Sequence, residues 1–133
     1  MYGRSEDGHP GKTNHAAISN LTVRLLNEYT GRGPTKARTY VQDDLIVVML
    51  WDTLTKAERS LVEDGHGVHV NTSRKLFQQA LRPALVAGIE EITGRRIVAF
   101  LGDNHFDPDI AAVVFLMEPE PGERGYVEDR AVT

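Results

Sequence analysis

The sequence has no cysteine, which excludes thiol catalysis, disulfide bonds and cysteine-ligated zinc. It has no apolar run long enough to span a bilayer, and residues 1–13 lack the apolar core of a signal segment. Its 15 basic residues are outnumbered by 19 acidic ones, so a net charge of −4 disfavours charge-driven binding to nucleic acid or anionic lipid. These absences predict a soluble, cytoplasmic protein with no direct membrane insertion.

The residues that are present suit one globular domain. A length of 133 residues with 41% hydrophobic and 26% charged residues is typical of a single domain with its own core. Glycine, proline and charge dominate both ends of the chain. We therefore expect a flexible leader over residues 1–13, one folded domain over 14–118, and an acidic flexible tail over 119–133.

Hydrophobic periodicity predicts elements in the order α-β-β-α-α-β-β. The predicted elements are a helix from Asn14 to Gly31, strands at 37–42 and 45–51, a short helix after Thr55, a long helix ending at Gly94, and strands at 97–101 and 110–117. This order is typical of an α+β domain with helices on one face of a mostly antiparallel four-stranded sheet. The residues show no internal repeat, although each half contains a helix followed by a hairpin.

Several local patterns refine these boundaries. Asn14 is an N-cap candidate, and Gly31 and Gly94 suit the left-handed position that follows a helix. Residues 37–42 alternate in the period of two that is typical of a strand with two different faces.

Thr55 and Glu58 fit a capping box at the start of the short helix. The stretch 65–71, which holds two glycines, looks less helical and leaves the start of the long helix open, while Pro83 should kink that helix. Residues 102–109 read as the connection of the last hairpin.

The second strand indicates a partner. Leu45 to Trp51 is continuously apolar and rich in β-branched residues, a composition typical of a strand covered on both faces. Helices cover only one face of the predicted sheet. We therefore expect a homodimer that covers the other.

The turn Gly31-Arg32-Gly33-Pro34 is the first candidate ligand site. Glycine amides can form a nest for an oxyanion, with Arg32 or Arg38 closing over it. The turn is not a Walker loop, because it lacks the terminal Gly-Lys-Ser/Thr and precedes a strand. The alternative is a structural turn with a solvated arginine.

A second arginine extends this hypothesis. Arg82 lies beside the apolar stripe of the long helix, so we expect partial burial and a need for a carboxylate or anion partner. A structural ion pair or a surface arginine is the alternative. Convergence of the candidates would create a pocket for bicarbonate, phosphate or a nucleotide. The predicted ligand-binding residues are Arg32, Gly33, Arg38, Tyr40 and Arg82.

Metal and catalytic patterns are weak. Acidic residues and His105 alternate between Asp103 and Asp109, but their spacing does not match an EF-hand loop, and a solvated turn is the alternative. His66 and His69 are three apart and could ligate a metal with His105, although Gly65 and Gly67 disfavour a helix there. No nucleophile elbow and no Gly-x-Gly-x-x-Gly after a strand is found. We predict no catalytic residue and no cofactor, and keep a small metal-dependent enzyme using His66 or His105 as an alternative.

The motifs together resemble the MpsC-like family of small bacterial domains. The matching motifs are Tyr29-Thr-Gly-Arg-Gly-Pro34, Thr39-Tyr40 with Asp43-Asp44, Leu54-Thr55 with Glu58, and Arg82-Pro83 with Ile89-Glu-Glu-Ile-Thr-Gly94. The resemblance covers about residues 16–118, and the stretch 65–71 departs from it. The family is named for a sodium-translocating, membrane-potential-generating system linked to inorganic carbon uptake. The resemblance implies a soluble accessory or regulatory role beside a membrane transport partner, and it supplies no catalytic residues. Together with the missing catalytic patterns, it favours a non-enzymatic module.

A nucleic-acid-binding regulatory protein is the alternative from another class. It would use the basic residues Arg32, Lys36, Arg38, Arg74 and Lys75. The net charge and the small number of aromatic stacking platforms argue against it.

Overall fold

The structure, a computed structural model, describes residues 11–119. Its elements are α1 (Gly11–Thr30), β1 (Lys36–Gln42), β2 (Leu45–Trp51), α2 (Lys56–Glu63), α3 (Gly67–Thr93), β3 (Ile97–His105) and β4 (Ile110–Met117). The predicted order and the α+β class are confirmed. The predictions for residues 1–10 and 120–133 lie outside the described residues.

The four strands form one antiparallel sheet in the order β1-β2-β4-β3. Each hairpin therefore contributes one central strand and one edge strand. Val48 stands at the centre, opposite Thr39 of β1 and Val113 of β4. The β1 to β2 connection is a two-residue reversal in which Asp43 takes a positive φ of 55°.

α1 and α3 pack together on one face of this sheet. The Ser19 hydroxyl of α1 lies 2.7 Å from the Thr39 hydroxyl of β1, and Gln78 of α3 lies against Gly102 of β3. The core between the layers is apolar and enclosed. Six of its residues have 0% exposure: Ile18, Ile46, Val48, Leu85, Ile89 and Phe115. The short helix α2 packs against α3, and all eight of its residues are half-buried or exposed.

The ends of α1 and α3 are built alike. Gly31 and Gly94 follow the two helices in the left-handed conformation, with φ of 79° and 70°, as the sequence predicted. Their amides donate to the carbonyls of Asn27 and Glu90. Glycine is favoured at both positions because a Cβ strains this backbone conformation.

The likeness extends beyond the glycines. The Thr30 and Thr93 hydroxyls each donate to the carbonyl four residues earlier and accept from the amide of the arginine two residues later. Those arginines, Arg32 and Arg95, donate to the carbonyls of Asp52 and Glu118, the residues that follow β2 and β4. The fold therefore contains a structural repeat of two helix and hairpin units, residues 11–52 and 67–118. The order of helix and hairpin in each half was predicted, whereas the repeat in the residues at the helix ends was not.

Three predicted boundaries differ from the structure. α1 begins at Gly11, before the proposed N-cap Asn14. α3 begins at Gly67, within the stretch expected to be less helical, where Val70 is buried. β3 continues through Gly102 to His105, because these residues pair with Val113 to Ile110 of β4 and confine the turn to residues 106–109. The capping box of Thr55 and Glu58 is confirmed.

Candidate functional site

The face of the sheet opposite the helices is apolar and uncovered by α1 and α3. Side chains alternate across a strand, so the residues between the buried core positions point to this second face. We call it the open face, and its apolar members are Tyr40, Leu45, Val47, Met49, Trp51, Ala99, Leu101, Ile110, Ala112, Val114 and Leu116. Leu101 is 65% exposed and Tyr40 is 46% exposed. A continuous apolar sheet surface of this kind is typical of a protein interface.

The two edges of the open face carry opposite charge. On β1, the Lys36 ammonium lies 4.4 Å from the centre of the Trp51 ring, and the Arg38 guanidinium lies 5.4 Å from the centre of the Tyr40 ring. On β3, Asp103 is 73% exposed and pairs with Lys75 at 3.6 Å. The edges are therefore basic at β1 and acidic at β3.

A polar network closes one end of the sheet. Asp52, which follows β2 with a positive φ of 62°, accepts Arg32 at 2.8 Å and Arg59 at 3.2 Å. The Asp52 carboxylate thus bridges two guanidinium groups, while the Arg32 Nε is buried without a partner among the described residues. Asp52 therefore connects the turn at residues 31–34, through Arg32, to α2, through Arg59.

Asp109 continues the network from the start of β4. Its carboxylate accepts the amide and hydroxyl of Thr53, both at 3.1 Å, and the amide of Leu54 at 3.0 Å. It also lies 3.4 Å from Arg59. The alternating acidic residues of this hairpin thus include one that binds backbone amides, where the sequence suggested a solvated turn.

A buried ion pair joins α2 to α3. The Arg74 side chain is 5% exposed, donates its Nε to Glu58 at 2.8 Å and makes a second contact to the same carboxylate. Burial alone would raise the pKa of the Glu58 carboxyl. The hydrogen bonds from Arg74 and Thr55, with the charge of Arg74, outweigh burial and hold that pKa below its ordinary value.

A comparison with known protein families decides the relationship. The family model described as "Na+-translocating membrane potential-generating system (MpsC)" matches residues 12–119. The chain belongs to the MpsC family. The resemblance seen in the sequence motifs is confirmed.

The chain is also similar to a protein of Bacillus subtilis. The uncharacterized protein YrhF of Bacillus subtilis (strain 168) is 24% identical over 110 residues, which cover 80% of this chain and 89% of the relative. No solved structure matches significantly. Among the described residues, no helix of this MpsC protein is both long and apolar enough to cross a bilayer.

The predicted ligand-binding residues of the MpsC motifs do not converge. Arg32 contacts Asp52 at the end of the sheet, and a Cβ on Gly33 would lie 3.4 Å from Val23 of α1. Arg38 and Tyr40 are neighbours on the open face. The role of these residues in anion binding stays a prediction.

Arg82 differs from its prediction. It is exposed rather than partly buried, and its guanidinium lies 6.0 Å from the centre of the Phe100 ring. Phe100 belongs to β3, at the edge of the sheet opposite β1. The predicted pocket that joins Arg82 to the other four residues is therefore not formed.

The alternative sites are also dispersed. Of the basic residues proposed for nucleic acid, Arg74 is buried against Glu58 and Arg32 is paired with Asp52. His66 and His69 have ring centres 5.9 Å apart, while His105 lies against the Pro108 carbonyl. Within residues 14–119, no group of three or more side chains suits a metal ion.

A small internal cavity lies beneath the buried arginine. It has a volume of about 20 Å³ and is lined by residues of both long helices and three strands, including Thr22, Arg74 and Asn104. The Asn104 Nδ2 is buried and has no partner among the described residues. The volume and the polar groups fit one water molecule.

Proposed function

We propose that this MpsC family member is a soluble, non-enzymatic accessory protein of a sodium-dependent membrane transport system. In this proposal it acts from the cytoplasm through protein contacts made by the open face. The observation that carries the proposal is an apolar sheet face left uncovered by the long helices.

The chemistry of the polar groups supports a binding role over a catalytic one. Arg32, Arg59 and Arg74 each engage a carboxylate of the same chain. These contacts hold α2, α3 and the ends of the strands in fixed positions. A rigid scaffold behind an apolar surface is the arrangement expected of a docking module.

The description of the family supplies the physiological setting. A membrane-potential-generating system moves charge through a membrane, whereas the helices of the described residues are unsuited to spanning one. An accessory role beside the transporter accounts for both observations.

Inverted membrane vesicles from cells that lack this protein provide the test. A voltage-sensitive dye would report the sodium-dependent potential before and after addition of the purified chain. We expect the wild-type protein to change this potential and Leu101→Glu on the open face to lose the effect. A potential that is the same with and without the wild-type chain would overturn the proposal.

Leu76→Glu is the matched control. Leu76 lies on α3, away from the sheet, and is 60% exposed, close to the 65% of Leu101. Both variants exchange an exposed leucine for a glutamate. The control should keep the wild-type effect, so its loss would point to a general consequence of added charge.

A further inference from the structure

We infer that the open face is covered by the open face of a second copy of this chain. The two copies are related by a two-fold axis that runs parallel to the strands, midway between the two sheets and above the line between β2 and β4. The inference rests on the proposed function: the protein contact that the open face makes is the one that joins two copies, and the dimer is the form that acts on the transport system. It adds the orientation of that partner and the side chains that select it.

The open face is large enough for this role. A strand spacing of about 4.8 Å and a rise of about 3.3 Å per residue give four strands of seven residues roughly 19 by 23 Å. Side-chain relief adds to this area. The flat outline is therefore about 440 Å², within the roughly 300 to 600 Å² of the largest apolar patch on a typical monomer, a patch that is often functional. Two copies stacked on this face would bury about 870 Å² before side-chain relief is added, close to the roughly 1,000 Å² in total that a specific interface needs.

The register arranges the open face in rows across the sheet. One row runs through Tyr40, Val47, Val114 and Leu101 and is apolar throughout. The next row runs through Arg38, Met49, Ala112 and Asp103, and is apolar only at its centre. The second row therefore places a cation at one edge and an anion at the other.

A two-fold axis parallel to the strands makes these edges complementary. Rotation about it places β1 of one copy over β3 of the other while each row stays at its own level. Arg38 then faces Asp103 of the second copy, and the contact occurs twice. In the same arrangement Tyr40 faces Leu101 and Val47 faces Val114, so apolar groups meet apolar groups.

The other axis within the interface plane gives a poorer match. An axis perpendicular to the strands places β3 over β3 and inverts the order of the rows. Asp103 would then face Leu101 of the second copy and keep Lys75 of its own chain as its charged partner, and Arg38 would face Tyr40. Neither edge charge would meet an opposite charge of the second copy. Because the internal repeat makes the two arrangements similar in shape, the edge charges select between them.

The two Arg38–Asp103 pairs determine the relative orientation of the two copies more than the affinity of the dimer. Arg38 is exposed and Asp103 is 73% exposed, so each pair lies at the solvated rim of the interface. The Arg38 side chain is long enough to span the small displacement that sheet twist introduces at the edges. The apolar rows at the centre supply the affinity.

Sedimentation equilibrium of charge-reversed variants tests the pairing. Arg38→Asp and Asp103→Arg each create two like-charge contacts and should raise the dimer dissociation constant roughly tenfold or more. The double variant restores opposite charges and should return to within about threefold of the wild type. Arg82→Asp, the same substitution on an exposed arginine outside the open face, should leave the constant unchanged.

Engineered cysteines test the orientation, since the native chain contributes no thiol. An equimolar mixture of Tyr40→Cys and Leu101→Cys proteins, treated with a short bismaleimide, should give a cross-linked dimer that contains one chain of each variant. Each variant treated alone should remain largely uncross-linked. Circular dichroism of every variant confirms that it is folded.

Two results would overturn the inference. One is a wild-type chain that stays monomeric at about 100 µM, well above the range of specific dimers. The other is efficient cross-linking of Tyr40→Cys to itself, which indicates β1 paired with β1. Either result leaves the proposed function intact if Leu101→Glu still abolishes the vesicle response, whereas a vesicle assay without any response counts against the function alone.

Discussion

At the scale of single residues, Arg74 and Glu58 form the most enclosed ion pair among the described residues. Their side chains are 5% and 13% exposed, and Arg74 also donates to the Thr53 carbonyl. Glu58 is bound in turn by the Thr55 amide through the capping box. One carboxylate thus serves both the start of α2 and the docking of α2 on α3.

Replacing Arg74 by methionine should destabilise the protein by about 3 to 5 kcal/mol, because the Glu58 carboxylate stays buried without its partner. In a Glu58→Gln background the same substitution should cost at least about 1 kcal/mol less, since glutamine keeps the capping box without a charge. Urea unfolding of the four proteins gives both values. Equal costs in the two backgrounds would show that Arg74 acts through its aliphatic packing.

The Glu58 carboxyl also predicts a pH dependence. Its pKa is lowered in the folded state from an ordinary value of 4.5, so the unfolded chain binds more protons as the pH falls through that value. The contribution of this group to stability is therefore complete above about pH 4.5 and is lost as the pH falls towards the folded pKa. Urea unfolding between pH 3 and 6 should show a steeper loss for the wild type than for Glu58→Gln. Parallel curves would exclude Glu58 as the source.

At the scale of elements, the C-terminal ends of α1 and α3 have the same structure. The same Thr-Gly-Arg sequence at residues 30–32 and 93–95 forms the same hydrogen bonds and leads into the two edge strands. Apart from the glycine and its two chain neighbours, no described residue has an atom within 4 Å of a Cβ built on Gly31 or Gly94. Only the backbone conformation therefore requires glycine there.

Gly31→Ala and Gly94→Ala should each cost about 1 to 2 kcal/mol, the strain of a left-handed residue, and the two costs should agree within about 0.5 kcal/mol. Asparagine at either position should cost less, because it tolerates this conformation. Thermal or urea unfolding measures all four variants. A large cost at only one of the two sites would contradict the equivalence of the helix ends.

Local rules predicted most of the elements. The left-handed glycines, the capping box and the alternation of β1 depend on neighbours within a few residues, and the structure confirms all three. β3 was predicted too short because Gly102-Asp103-Asn104 has turn composition. Its pairing with β4, which the sequence does not encode locally, overrides that preference.

The polar network around Asp52 and Asp109 could not be predicted from the sequence, because it also depends on strand pairing between distant residues. Thr53 and Asp109 are 56 residues apart and meet only because β2 pairs with β4. One signal was available: Arg74 lies four residues after Val70 and seven before Leu81, so it belongs to the buried stripe of α3. Arg82 directly follows Leu81 and is turned about 100° away from that stripe, which explains its exposure.

At the scale of the whole molecule, the α+β architecture leaves each unit incomplete without the other. The first unit offers β2 and the second offers β4, and these two strands form the centre of the sheet. The helices α1 and α3 also pack against each other, closely enough that a Cβ on Gly88 would lie 2.5 Å from Leu21. Both layers of the domain are therefore completed across the junction between the units.

This junction makes the protein a candidate for fragment complementation. The only chain connection between the units runs through α2 and the exposed turn at Asp64 and Gly65. Co-expressed pieces 1–65 and 66–133 should reassemble through β2 and β4 into a noncovalent domain whose melting temperature depends on concentration. Two fragments that are produced separately and fold only when they bind each other could serve as the two parts of a split reporter.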